Sequence, residues 1–208
     1  MNLTVIGSTG RTGRHVVDQA LRRGHRVTAF TRRPDALTER SRLAGVVAGD
    51  GRDPEAVATA VRGADAVIAI VAAASRRGPH QAAEVIRVVT AAMARAGVRR
   101  LVVTSAYPIV GVRPRLPLAI LRMLFRDAYA DARAMERELL DSPLDWTIAR
   151  LNRLTDKPAQ GPLQITTELL DRPRPMTRAD TAAALLDIAA DPRFARRAVN
   201  LSGPVPVR

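Results

Sequence analysis

The sequence contains no cysteine and no long hydrophobic run. Without cysteine the chain forms no disulfide and offers no thiolate to a metal or a substrate. The longest uninterrupted apolar stretch, 66–74, has nine residues, about half of the ~18 that a membrane-spanning helix needs. The apolar segment 3–6 begins almost at Met1 and leaves no room for a removable signal peptide. We therefore expect a cytoplasmic protein with no membrane partner.

Aromatic residues are also scarce, whereas arginine is abundant. The chain has one tryptophan, two tyrosines and three phenylalanines, and its formal net charge is +13. A nucleic-acid interface needs clustered cations for the phosphates and aromatic rings that stack on bases. The arginines of this chain occur as scattered singles and pairs. We interpret the charge as a solvated, arginine-rich surface and expect no specific nucleic-acid partner.

Short β-rich apolar runs alternate with amphipathic helical patterns along the chain. A chain of 208 residues can bury the core of one domain. The alternation is typical of a doubly wound parallel α/β sheet, the Rossmann fold, with helices on both faces. The predicted strands lie near 2–6, 26–30, 45–48, 65–71, 100–104 and 145–149. The predicted helices lie near 12–23, 34–42, 54–62, 80–96 and 118–141.

The pattern changes after residue 150. Prolines and glycines interrupt the chain there, and a predicted helix near 178–190 and a strand near 197–201 follow. We expect residues 1–208 to form a single domain, in which 151–208 contribute a small substrate-side lobe. The apolar segment 116–125 can pack against the sheet or against a second subunit, so a monomer and a homodimer both remain open.

Three glycines stand at the junction of the first strand and the first helix. They follow a Gly-x-x-Gly-x-x-Gly pattern inside a βαβ unit. Such a turn lets backbone N–H groups approach a diphosphate, which the N-terminus of the helix also attracts. A glycine-rich turn without a ligand is the alternative. The predicted cofactor residues of this turn are Gly7, Thr9, Gly10, Arg11, Thr12 and Gly13.

The end of the second predicted strand distinguishes NAD from NADP. NAD-binding units carry an acidic residue about 20 residues after the turn, where it binds the ribose 2′-hydroxyl. This chain has Thr31-Arg32-Arg33 there and no acid. Arg32 and Arg33, with Arg11 in reach, can clamp a 2′-phosphate, so we predict that NADP(H) is preferred over NAD(H). Ordinary surface arginines are the alternative interpretation.

Further motifs accompany the glycine turn along nearly the whole chain. They are the Gly49-Asp50 step, Thr104-Ser105-Ala106, the segment 144–150 leading to 154–156, and Arg178-Ala179-Asp180. With them the sequence resembles the atypical short-chain dehydrogenase/reductase superfamily. The resemblance is greatest to its small NAD(P)H-binding members, similar to biliverdin IXβ/flavin reductases.

The resemblance implies roles for residues at the ends of other strands. Asp50 and Gly51 would border the adenine, and Ala72 and Ala73 would line the ribose and the pyrophosphate. Ser105 would lie beside the nicotinamide.

The same resemblance places Thr104 in the cofactor site. Arg150, at the start of the 150–152 stretch, would close over the carboxamide.

The catalytic pair of the superfamily is a tyrosine and a lysine four residues later, which lowers the tyrosine pKa. Lys157 is the only lysine and follows neither tyrosine at this spacing, but Tyr129 is followed by Arg133 and then by Glu136. The resemblance therefore implies Ser105, Tyr129 and Arg133 as catalytic residues, with an arginine that keeps the charge but releases no proton. A surface pair at i, i+4 is the alternative. The three histidines are isolated in sequence, and we predict no metal site.

These observations together predict an NADP(H)-dependent oxidoreductase that acts on a small carbonyl, flavin, quinone or tetrapyrrole-like acceptor. The resemblance implies that the bound cofactor delivers hydride while the site supplies orientation and electrostatics. Two alternatives remain open. The missing lysine favours a non-catalytic, NADP(H)-sensing regulatory protein, and the fold also suits an epimerase or dehydratase with tightly bound NAD(P).

Overall fold

The computed structural model describes residues 1–38, 40–71 and 81–204. Within these residues the strands are β1 (Asn2–Ile6), β2 (Arg26–Thr31), β3 (Gly45–Ala48), β4 (Ala66–Ala69), β5 (Arg100–Ala106), β6 (Asp145–Leu151), β7 (Leu154–Thr155), β8 (Gln164–Thr166), β9 (Met176–Thr177) and β10 (Arg197–Ser202). The helices are α1 (Arg11–Arg22), α2 (Pro54–Val61), α3 (Ala82–Ala96), α4 (Arg115–Leu124), α5 (Arg126–Leu140) and α6 (Arg178–Ala190).

The main sheet has eight strands in the order β3-β2-β1-β4-β5-β6-β10-β8. Neighbouring strands run parallel, except that β8 pairs antiparallel to β10. The strand order reverses between β1 and β4, where the two mononucleotide-binding halves of a Rossmann sheet meet. The predicted fold class is therefore confirmed. Ligands of such sheets bind in the crevice outside the carboxyl ends of the strands at this reversal.

Helices cover both faces of the sheet. The first layer holds α2, α3 and α5, and the second holds α1 and α6. The residues of β4 alternate between these layers, with Val67 and Ala69 in the first and Ala66 and Ile68 in the second. All four are buried, as expected for a central parallel strand that is covered on both faces.

A carboxylate from α5 caps the start of α3. The Asp131 side chain accepts hydrogen bonds from the backbone N–H groups of Ala82 (2.7 Å) and Ala83 (3.1 Å). Residue Gln81, at the N-cap of α3, contributes no side-chain cap of its own. Because an anion stabilises the free amides at a helix N-terminus, this contact fixes the position of α5 against α3.

Two predicted helices differ from the structure. Segment 34–42 contains two 3₁₀ turns, Pro34–Ala36 and Arg40–Arg42, and neither has a buried residue. Without an apolar stripe to bury, a helix there would lack the packing that stabilises helices in proteins. The predicted helix 118–141 is two helices, α4 and α5, which meet at Phe125. The break lets α5 turn its own apolar stripe toward the sheet.

An apolar stripe of α4 lies on the surface. Leu118 is the buried residue of this helix, whereas Leu116, Ile120, Met123 and Leu124 are exposed. Helix α4 contacts α5 and the 3₁₀ turn Tyr107–Ile109, and Leu118 belongs to neither of the two core clusters that cover the sheet. No helix in the described part of the chain is long and apolar enough to cross a membrane.

The C-terminal part joins the main fold and also forms a smaller unit. Helix α6 and strand β10 belong to the main layers, and β7 pairs with β9 in a separate two-stranded sheet. Tyr107, fully buried directly after β5, connects this region to the sheet. Its hydroxyl donates to the carbonyl of Leu170 (2.9 Å) and accepts from the N–H of Leu170 (2.8 Å). The segment around Leu170 is thereby held against the carboxyl end of β5.

We expect the substitution Tyr107→Phe to lower the free energy of unfolding by about 2 to 4 kcal/mol, because it leaves a buried N–H and a buried carbonyl without partners. Urea denaturation followed by circular dichroism measures the loss. The matched control is Tyr129→Phe, at the only other tyrosine, which should cost no more than about 1 kcal/mol. Equal losses for the two variants would contradict the role of Tyr107.

Candidate functional site

The turn after β1 is held by one carbonyl group. The Phe30 carbonyl, near the end of β2, accepts from the N–H of Gly7 (3.2 Å), the N–H of Ser8 (3.3 Å) and the Ser8 hydroxyl (3.0 Å). Gly7 adopts a φ of +81°, a conformation that side chains disfavour. The turn is thereby fixed to the carboxyl edge of the sheet.

The amides at the start of α1 are available to an anion. Gly10 is the N-cap and supplies no side-chain cap, and the first turn contains no acidic residue. The first i→i−4 bond of the helix runs from the N–H of Arg14 to the carbonyl of Gly10 (2.9 Å). The N–H groups of Arg11, Thr12 and Gly13 precede that bond and have no acceptor within the helix. This arrangement suits a phosphate, because the helix dipole also favours negative charge there.

The helix approaches the strand more closely than any side chain would permit. A Cβ atom at Gly13 would lie 2.1 Å from the Gly7 carbonyl oxygen, and one at Gly7 would lie 2.6 Å from the Ile70 carbonyl oxygen. Real Cβ atoms essentially never approach backbone atoms so closely, so only glycine fits at these two positions. A Cβ at Gly10 would meet the Gly7 oxygen at 3.1 Å, which is tight but tolerable.

A cleft of about 310 Å³ opens beside this turn, at the carboxyl ends of β1, β2, β3 and β4. Its lining includes Gly7, Thr9, Gly10, Phe30, Thr31, Arg32, Arg33, Gly49, Asp50, Gly51, Ile70 and Val85. The hydroxyls of Thr9 and Thr31 lie 2.6 Å apart, and Thr31 Oγ1 also accepts from the N–H of Arg33 (3.1 Å). This chain of bonds connects the turn to the basic end of the cleft.

The structure separates the three arginines that the sequence places near a 2′-phosphate. Arg32 and Arg33 line the cleft. Arg11 does not line it, and its guanidinium forms an ion pair with Asp156. In this structure Arg11 is therefore engaged elsewhere, because the turn lies next to the C-terminal region.

Asp50 lines the cleft and is paired with a neighbouring arginine. The guanidinium of Arg52 donates to both of its carboxylate oxygens (3.0 and 3.1 Å). These bonds, with a smaller contribution from Arg32, hold the pKa of Asp50 below its usual value. The carboxylate is therefore charged at neutral pH.

Across the reversal in strand order, three side chains form a second cluster. Ser105 on β5 and Arg150 on β6 are direct neighbours in the strand register. Glu136 of α5 binds both of them. The Ser105 hydroxyl donates to Glu136 Oε1 (2.6 Å), and Arg150 donates to the same carboxylate from Nε (3.0 Å) and Nη2 (2.6 Å). The Glu136 and Arg150 side chains are only 9% and 18% exposed.

The predicted pair Tyr129 and Arg133 lies nearer the N-terminus of α5 than Glu136 does. Burial raises the pKa of Tyr129, and the cation that opposes this shift is Arg122. The Arg133 guanidinium instead donates to the carbonyl of Ile109 (3.4 Å). Tyr129 precedes Glu136 by two helical turns, about 10 Å along the helix axis. Ser105 thus binds Glu136 in this structure, and its hydroxyl is not paired with Tyr129.

The remaining predicted residues have different outcomes. Thr12 is buried in the first turn of α1. Thr104 is buried in β5. Ala72 and Ala73 lie outside the described residues. Within the described ranges no group of histidines and carboxylates suits a metal ion.

The sequence places Glu136 after Tyr129 and Arg133 but predicts no site role for it. The available signal is its position on the buried face of α5, beside Met135 and one turn before Leu139. A charged residue rarely occupies such a face without a partner.

A family model described as NAD(P)H-binding matches residues 7–192. Two curated proteins are similar in sequence. Sterol demethylase protein B of Methylococcus capsulatus is 36% identical over 122 residues, which cover 55% of this chain and 37% of that protein. An uncharacterized protein of Mycobacterium tuberculosis is 32% identical over 151 residues, covering 72% of this chain and 14% of that protein. The match therefore spans less than half of either relative.

Solved structures of similar fold include two over nearly the full length. A short-chain dehydrogenase/reductase from Veillonella parvula in complex with NADP has a TM-score of 0.79 at 21% identity, covering 98% of this chain and 94% of that chain. ChuY, described as an anaerobillin reductase from Escherichia coli, has a TM-score of 0.80 at 24% identity and covers 100% of both chains. The predicted resemblance is confirmed.

We expect Gly13→Ala to destabilise the fold by about 3 kcal/mol or more, because its Cβ would meet backbone that cannot move aside. The matched substitution Gly10→Ala should change stability by less than about 1 kcal/mol, since its backbone suits alanine. Thermal unfolding of both variants checks this difference. If Gly13→Ala were as stable as Gly10→Ala, the close packing of helix on strand would not be required.

Proposed function

The chain belongs to the NAD(P)H-binding family, and from this premise we propose that it is an NADP(H)-dependent oxidoreductase. The observation that carries the proposal is the glycine turn, whose free helix amides face a cleft that ends in arginines. A dinucleotide needs both features, one for its diphosphate and one for a 2′-phosphate. The glycines also fit the group, since side chains in their place would collide with backbone.

The preference for NADP(H) rests on charge at the end of β2. Arg32 and Arg33 line the cleft where NAD-binding proteins carry an acid. A guanidinium pairs with a phosphate through two parallel bonds, whereas a ribose hydroxyl gains less from it. The relative from Veillonella parvula, crystallised with NADP, is consistent with this choice.

The chain's own residues bind and orient the reactants. When bound, the cofactor supplies hydride transfer. Ser105 and Arg150 lie on the β5–β6 side of the reversal in strand order, which suits the nicotinamide half. Tyr129, with Arg133 one turn later, is proposed as the proton donor. Burial raises the pKa of Tyr129, so its phenol is a weaker acid than a free tyrosine and would act only as a donor, not as a base, at neutral pH.

The acceptor is proposed to be a conjugated ring system of the flavin, quinone or tetrapyrrole-like class. The segment that contains β7 to β9 would cover the acceptor, since Tyr107 holds it beside the end of β5. The structural similarity to ChuY, an anaerobillin reductase, favours a tetrapyrrole-like acceptor over a simple carbonyl compound.

We expect the double substitution of Arg32 and Arg33 by alanine to lower the affinity for NADPH at least about tenfold, the equivalent of ~1.4 kcal/mol. The affinity for NADH should fall much less. Calorimetric titration of both cofactors measures the ratio of affinities. The control is Arg95→Ala, which removes an arginine from the last turn of α3 and should leave both affinities unchanged. Equal losses for NADPH and NADH would remove the argument for NADP(H).

Turnover tests the reaction itself. NADPH oxidation is followed by the loss of the near-ultraviolet absorbance of reduced nicotinamide. The assay is anaerobic, and flavin, quinone and biliverdin serve as acceptors. An oxidoreductase reduces at least one acceptor class. Tight NADPH binding without turnover on any of them would instead favour the regulatory alternative, and NAD(P) that survives dialysis would favour an epimerase or dehydratase.

A further inference from the structure

The cluster of Ser105, Glu136 and Arg150 is a closed set of hydrogen bonds around one buried carboxylate. Glu136 accepts from the Ser105 hydroxyl (2.6 Å) and from two nitrogens of Arg150. Each bond has a charged partner, and bonds of this kind are short and strong. Glu136 is buried, whereas Ser105 at the end of β5 and Arg150 on β6 are partly exposed. A ligand can therefore reach Ser105 and Arg150, and of these two only the serine offers an oxygen.

The chemistry of the three groups determines the direction of each bond. An ionised carboxylate only accepts, and a guanidinium only donates. The hydroxyl of Ser105 has one hydrogen, and the bond to Glu136 uses it. What remains on Ser105 Oγ is lone pairs, so toward a ligand this oxygen acts as an acceptor.

We infer that Glu136 is a positioning residue that makes Ser105 a hydrogen-bond acceptor for an N–H group of the bound ligand. The inference rests on the proposed function, because the nicotinamide half of NADP(H) carries such a group in its carboxamide. It has a consequence for the reaction. Ser105 binds and orients the cofactor and does not polarise a substrate carbonyl, which requires a donor.

A purely structural role for Glu136 would not need the serine. The ion pair between Glu136 and Arg150 already compensates both buried charges. The serine adds a third bond at the edge of the sheet where the crevice opens, beside Arg150 in the register. The arrangement therefore transmits the charge of Glu136 to a partly exposed atom at the carboxyl end of β5.

The first experiment uses the unmodified protein and two oxidised cofactors. The 3-acetylpyridine analogue of NADP⁺ replaces the carboxamide by an acetyl group and so has no N–H donor there. Calorimetry should give NADP⁺ an affinity about five- to tenfold higher than the analogue, the value of one hydrogen bond. Adenosine 2′,5′-bisphosphate contains only the adenine half of the cofactor. Its affinity therefore measures binding at the part of the site that the carboxamide does not contact.

The second experiment uses Ser105→Ala and Glu136→Gln. Ser105→Ala removes the acceptor and leaves the buried ion pair intact. Glu136→Gln keeps the volume, and its amide can donate to the serine and release the serine hydrogen. In both variants the affinity for NADP⁺ divided by the affinity for the analogue should fall to about one. The affinity for the bisphosphate should be unchanged. The double variant should show no further loss, since both changes act through one atom.

A matched control lies on the same helix. Glu138→Gln removes an exposed ion pair with Arg87 (2.6 Å) and should leave the ratio at its original value. If Glu136→Gln weakened NADP⁺ and the analogue equally, Glu136 would have only a structural role and the inference would be overturned. Equal affinity of the unmodified protein for both cofactors would overturn it as well. Failure of the unmodified protein to bind NADP⁺ or the bisphosphate would instead contradict the proposed function.

Discussion

The contact of the Gly13 backbone with the Gly7 carbonyl sets the distance between α1 and β1, and the cleft depends on that distance. A methyl group at Gly13 would lie 2.1 Å from this oxygen and push the helix away. Since the helix stays close, its first amides lie at the carboxyl edge of the sheet, beside the ends of β2 and β3. The parallel direction of the strands then brings Arg32, Arg33 and Asp50 to the same edge. The backbone contact thus positions the helix dipole, and the strand direction positions the two cations and the carboxylate beside it.

Helix packing places the second cluster on the other side of the reversal. Helix α5 is fixed to α3 through Asp131 and is buried against the sheet through Met135 and Leu139. With the helix held in this way, Glu136 can enter the interior between β5 and β6 and meet two partners. The cost of burying its charge is offset by Arg150, which donates through two nitrogens. One half of the site therefore consists of backbone amides, and the other half consists of paired side chains.

Features that depend on local residue type could be predicted from the sequence. The glycine spacing predicted the turn, and the helical pattern near 54–62 predicted α2, which Asp53 caps by accepting from two backbone amides. Features that depend on distant pairs could not be predicted. Asp131 caps a helix 49 residues away in sequence, and the ion pair of Arg11 with Asp156 turns one predicted cofactor arginine toward another region. The helix predicted over 34–42 was wrong for a related reason, because helix propensity without burial of an apolar face does not stabilise a helix.

Asp156 lies between two arginines from different parts of the fold, Arg11 beside the glycine turn and Arg178 at the start of α6. The side chains of Arg11 and Asp156 are 68% and 54% exposed, so their pair is worth less than about 1 kcal/mol and weakens as ionic strength rises. This energy is of the order of thermal motion. This contact between the C-terminal region and the rim of the turn therefore breaks and reforms spontaneously, and a ligand that bound at the turn would displace it at little energetic cost.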